Sequence, residues 1–141
     1  MPDSEVIEKK LRRILLYLQE LRRLSFMNLE DFQEDIVKKR FVERNIELCI
    51  EAMIDVCRHL VSSLNLQEPE SYADCFRILA RGSVITDARQ KTFAELARFR
   101  NRLIHIYDDV DDSITFDIYS NRLSDFDDFV NVIRGYIRSC E

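Results

Sequence analysis

Two glycines and two prolines in 141 residues leave this chain almost no means of turning sharply. A sandwich or barrel needs turn residues about every 8–12 positions, so the scarcity argues against β-architectures and for a few long helices. Apolar residues make up 46% of the sequence and charged residues 33%, the balance of a chain that folds around a core. The length suits one domain over residues 1–141. No run of about twenty apolar residues occurs, and no basic-then-apolar leader opens the chain. The expectation is a cytoplasmic protein without a membrane span or signal peptide.

The apolar pattern places the helices. Ser4 is an N-cap candidate, and Ile7, Leu11, Ile14, Leu18 and Leu21 follow it in steps of four and three. After a break around Ser25 to Asn28, a longer region runs from Leu29 to Leu64, with a kink or break expected near Lys38 to Arg40. Its later half carries Ile46, Cys49, Ile50, Met53, Cys57, Leu60 and Leu64 on one face. Asn65 to Pro69 reads as a loop. Ser71 with Asp74 resembles a capping box for a short helix ending near Arg81, and Gly82 stands where a C′ residue needs positive φ. A fourth helix spans about Thr86 to Ile106. The acidic turn Asp108 to Asp112 follows, and a last helix reaches about Ser139 with Phe126, Phe129, Val130, Ile133 and Ile137 inward. The expected fold is all-α, an antiparallel, up-down bundle of about five helices.

Much conventional chemistry is missing. Cys49, Cys57, Cys75 and Cys140 show no C-x-x-C spacing and read as buried free thiols. The turn holding Asp108, Asp109, Asp111 and Asp112 lacks EF-hand spacing and reads as a solvated helix cap. There is no Glu-x-x-His pair, no glycine-rich phosphate loop and no nucleophile triad, so neither a metal nor a cofactor is expected. The net charge of −5 gives no overall footprint for nucleic acid, although Lys9 to Arg13, Arg22 and Arg23, Lys38 to Arg40, and Arg98 to Arg102 are basic clusters.

The fourth helix holds the oddity. On a wheel of about 100° per residue with Phe93 at zero, Leu96, Ala97, Leu103 and Ile104 lie within about 80°, and Arg100 falls roughly 20° from Phe93. A guanidinium on a packing face must be paired or must open onto a cleft. Asn101 and His105 share the edge of that arc. His105 sits about 140° from Arg100 on the same wheel, so a long arginine would have to curl toward it. A fixed cation, an amide and a group titrating near neutrality suit cleavage of an RNA phosphodiester. The histidine moves a proton at the 2′-hydroxyl or the leaving oxygen, and the arginine stabilises charge at phosphorus. Concerted acid–base cleavage wants two proton-transfer groups, and the other histidine, His59, points away from its helix's apolar stripe. A two-fold dimer joining two copies of His105 would supply the pair. The plainer reading makes Arg100 a tie between helices and His105 an ordinary helix-end residue, and Glu47 is the candidate partner for Arg100.

Arg100-x4-His105-x-Tyr107 resembles the R-x4-H-x-Y motif of the HepT toxins in the HEPN superfamily. The segments RFVERNIELCIEAMIDVCRHL from Arg40 to Leu60, Pro69 to Asp74 (PESYAD), and FRILARGSVI from Phe76 to Ile85 are similar to the family's middle section. The resemblance covers nearly the whole chain. It implies a HEPN-like bundle in which Arg100 and His105 are the catalytic pair of a metal-independent ribonuclease and Asn101 supports them. It implies that Tyr107 is AMPylated by an MNT-type nucleotidyltransferase antitoxin, and that the chain forms a homodimer. The rival is a non-catalytic HEPN-like dimerisation module that binds a nucleotidyltransferase.

Overall fold

The computed structural model describes residues 3–105 and 111–141, His105 by its backbone alone. Among them are seven helices: α1 Ser4–Arg22, α2 Leu29–Glu34, α3 Ile36–Ser63, α4 Tyr72–Arg81, α5 Asp87–His105, α6 Asp112–Asn121 and α7 Leu123–Ser139. They form an antiparallel bundle, with α1 laid along α3, α4 along α5, and α7 touching both α1 and α5. Every residue of the α1 stripe, Ile7, Leu11, Ile14, Leu18 and Leu21, is buried. So are Ile46, Cys49, Ile50, Met53, Cys57 and Leu60 of α3, whereas Leu64 is half-buried as that helix's C-cap. Phe126, Phe129, Val130 and Ile133 of α7 are buried and Ile137 is half-buried.

A phenylalanine cluster closes the core. Phe76 of α4, Phe93 of α5 and Phe129 of α7 meet pairwise, with ring centroids 5.2–6.2 Å apart. Phe129 meets both others in T-shaped, edge-to-face pairs, the arrangement favoured by the ring quadrupole and worth about 0.5–1.5 kcal/mol per pair beyond burial. Cys49, Cys57 and Cys75 are buried free thiols, and Cys140 is a half-buried one. No described helix is long and apolar enough to cross a membrane.

Seven helices replace about five because two expected helices are broken. The break in Leu29–Leu64 falls at Asp35, upstream of the expected Lys38 to Arg40. Asp35 is extended (φ −94°, ψ 97°), and its carboxylate accepts from Val37 N and Lys38 N at 3.1 Å each. A carboxylate caps exposed amides as a lysine cannot, so the capping residue, and not the basic run, sets the break. The last helix is interrupted at Arg122. The inward residues Thr115 and Ile118 are followed by Leu123 and Phe126. The step of five at the middle is longer than a helical face allows, and the interruption resets the phase.

Smaller corrections fall at the ends. Asp3 caps α1, one residue before Ser4. Ser71 Oγ accepts from Asp74 N at 3.0 Å as expected, but the Asp74 carboxylate accepts from Glu70 N, one residue short of a reciprocal box. Gly82 has φ −81°, and Ser83 takes the positive φ of 62°. Ser83 N donates to Ala80 O and Val84 N to Leu79 O, the two bonds of a Schellman ending. A Cβ at Gly82 would lie 2.9 Å from Leu66 Cδ1, the end of a half-buried side chain that can give way. Asp111 caps α6, matching the capping role expected of the acidic turn, while Asp108 and Asp109 lie outside the described residues.

Asp35→Ala should remove the cap on α3 and lower stability by about 1 kcal/mol, read as a lower urea midpoint with unchanged slope. An unchanged midpoint would show that packing alone sets the break.

Candidate active site

The inward face of α5 reads Phe93, Ala94, Leu96, Ala97 and Phe99, all buried, and then Arg100, whose side chain is 17% exposed. The wheel put Arg100 inside the apolar arc, and its side chain is mostly buried where that face meets α3. Its Nη2 donates to Glu51 Oε1 of α3 at 2.9 Å, and its Nη1 reaches Asn101 Oδ1 only at 3.5 Å. Among the described residues its buried Nε has no hydrogen-bond partner. The carboxylate that meets Arg100 is therefore Glu51, one helical turn beyond the expected Glu47. Both lie on the same edge of α3, and periodicity cannot tell which one an α5 side chain will reach.

Glu47 still belongs to the cluster. Burial and the hydrogen bond it shares with Glu51 push its carboxyl above the ordinary range, while Arg44 and Arg100 pull it down. Arg44 Nη1 donates to Glu47 Oε2 at 2.6 Å. Arg100 therefore faces two carboxyl groups, one of them inclined to hold a proton.

On the other side of Arg100 lies Tyr72, the first residue of α4. Arg100 Cζ sits 5.5 Å from the centre of its ring, and Arg58 Cζ of α3 sits 6.0 Å from it. Glu51, Ile54, Asp55, Arg58, Tyr72 and Arg100 line a groove of about 260 Å³ that opens to solvent. Nothing in the periodicity singled out Tyr72 or Arg58, because the contact joins three helices distant in sequence. His59, off the apolar stripe as expected, is half-buried and its Nε2 is buried without a partner among the described residues.

Asn101 is half-buried beside Arg100. The α5 backbone is helical as far as His105, so His105 follows Arg100 on one continuous helix. The His105 side chain and the whole of Tyr107 lie outside the described residues.

Several members of the basic clusters are paired with carboxylates among the described residues. Arg22 pairs with Asp127, Lys39 with Asp112 at 2.9 Å, and Arg40 with Glu43 at 2.6 Å.

A family model described as ribonuclease HepT-like matches residues 14–133. A tRNA nuclease HepT of Aphanizomenon flos-aquae is 29% identical over 99% of this chain and 95% of its own length. An mRNA nuclease HepT of Shewanella oneidensis is 25% identical over 94% of this chain and 98% of its own. Among solved structures, the tri-AMPylated HEPN toxin of Shewanella oneidensis, in complex with MNT antitoxin, superposes with a TM-score of 0.85. It is 26% identical, covering 96% of this chain and 99% of that one.

The raised Glu47 carboxyl gives a pH prediction. The folded chain holds that proton more tightly than the unfolded chain. Its stabilisation is therefore full below the ordinary carboxylate pKa and is lost as pH rises through the raised folded value. Glu47→Gln keeps a neutral group throughout, so its stability relative to wild type should increase between about pH 4 and about pH 7. Denaturant midpoints at the two pH values check this. A difference that stays constant with pH would contradict it.

Proposed function

From the premise that this chain belongs to the ribonuclease HepT-like family, we propose that it is the toxin of a HEPN–MNT toxin–antitoxin pair. In this reading residues 1–141 form one HepT-like domain that cleaves RNA by a metal-independent mechanism, with Arg100 and His105 as its catalytic residues. The observation that carries it is the state of Arg100. A cation held on a helix-packing face, with a donor left over among the described residues and a groove in front of it, is arranged to receive an anion.

The chemistry follows from the residue types. One imidazole removes the proton of a 2′-hydroxyl, whose oxygen attacks the adjacent phosphorus. The bond to the 5′-oxygen breaks, and that oxygen leaves with a proton from an acid, giving a cyclic phosphate and a 5′-hydroxyl. Arg100 stabilises the charge growing on the non-bridging oxygens, and Asn101 helps to orient it. A homodimer that brings two copies of His105 together supplies the base and the acid. The antitoxin of this reading is an MNT-type nucleotidyltransferase that AMPylates Tyr107. An adenylyl group two residues beyond His105 adds bulk and negative charge there and would keep RNA phosphates out.

One observation favours a second reading, a non-catalytic dimerisation module that binds the nucleotidyltransferase. The chain carries a net charge of −5, and many of its clustered basic residues are already paired with carboxylates.

Production of wild type, Arg100→Ala and His105→Ala in a host without the antitoxin separates the two. Growth arrest with RNA decay for wild type alone is expected. Normal growth and intact RNA for all three, with soluble folded protein, would leave the interaction module.

A further inference from the structure

We propose that the groove beside Arg100 is a nucleotide subsite. The base next to the scissile phosphate stacks on Tyr72, and the next phosphate along the strand is held by Arg58. The inference rests on the ribonuclease reading above and specifies how single-stranded RNA lies across the protein.

The groove that contains Arg100 does not end at Tyr72. Asp55, Arg58 and Tyr72 also line a second, larger groove of about 900 Å³, which continues to Lys10, Ser62 and Asn65. The two grooves meet at Asp55, Arg58 and Tyr72, with Arg100 of α5 lining the first and Lys10 of α1, 3.8 Å from Asp55, lining the second. Tyr72 stands at the junction. Its backbone is fixed by the Ser71 cap, yet the residue is 36% exposed and packs against no aromatic neighbour among the described residues. Two guanidinium groups approach its ring instead. A nucleobase that stacks there takes the place of one guanidinium over the ring, and the displaced cation turns to the neighbouring phosphate.

The carboxylates orient the strand. Glu51 and Asp55 of α3 line the joined groove, as do Glu68 and Glu70 before α4, and these carboxylates repel a phosphate backbone on their side of it. Arg58 makes no salt bridge among the described residues, and Lys10 is held only at 3.8 Å by a 54% exposed Asp55, a weak pair. The sugar–phosphate chain therefore follows Arg100, Arg58 and Lys10. Base edges face the α3 carboxylates, which accept from exocyclic amino groups.

The competing explanation is that Tyr72 only braces Arg100. Binding of a short single-stranded RNA, made uncleavable by 2′-O-methyl groups, to the full purified chain separates the two. Abasic sites are placed at each position in turn, and wild type is compared with Tyr72→Phe, Tyr72→Leu and Arg58→Ala. One abasic position should weaken wild-type binding by about 5- to 150-fold, the range of a single base–aromatic stack. That position should be nearly silent in Tyr72→Leu, and Tyr72→Phe should behave as wild type. Arg58→Ala should bind every RNA more weakly, with a salt dependence shallower by about 0.7 in log–log slope. With cleavable RNA, Tyr72→Leu should raise KM and leave kcat within a few-fold.

Retention of the full abasic penalty in Tyr72→Leu would overturn the subsite, as would a fall in kcat at unchanged KM. A wild-type chain that cuts RNA but senses no abasic position sinks the subsite alone. A folded wild type that neither binds nor cuts RNA sinks the ribonuclease reading and the subsite with it.

Discussion

The pairing of Arg100 with Glu51 is the contact around which the seam between α3 and α5 is arranged. Helix α5 buries Phe93, Leu96 and Ala97 in the core, and the helical repeat then delivers the next residue of that face, Arg100, to the seam with α3. A guanidinium at 17% exposure needs a carboxylate there, and the polar edge of α3 provides Glu51 directly and Glu47 one turn away. The cation cannot move without α5, and α5 is pinned by the phenylalanine cluster with α4 and α7. Core packing and site geometry are thus set by one helix.

The incompleteness of the Arg100 contacts is what supports the proposed role of this residue. An arginine that serves only to tie helices tends to use its donors fully. Here one nitrogen is committed to Glu51, one makes a long contact to Asn101, and Nε has no partner among the described residues. A phosphate can compete for such a group because it accepts in the same forked geometry as a carboxylate.

The sequence made the inward faces of α1, α3 and α7 legible because burial of a helix leaves a repeat of three and four. The same repeat exposed Arg100 as misplaced. Breaks were harder to read. Asp35 ends one helix and begins another by a cap whose effect depends on its extended backbone, and Arg122 interrupts the last helix by a phase change that no breaker residue announces. Residues that meet across helices were least visible. Glu51 in place of Glu47, and Tyr72 between two arginines, depend on how α3, α4 and α5 are set against one another, which no single-helix pattern records.

The central claim is that Arg100 occupies a packing face for the sake of chemistry and not for the fold. Arg100→Met keeps the length and apolar volume and removes the charge, so stability and RNA cleavage can be measured on one variant. The account predicts an unfolding free energy within about 1 kcal/mol of wild type, because Glu51, left without its partner, is 32% exposed and can be solvated by water. It also predicts cleavage reduced by about 10²–10³, the scale of losing one transition-state donor. A variant that cleaves RNA normally, or one that loses several kcal/mol of stability, would contradict it.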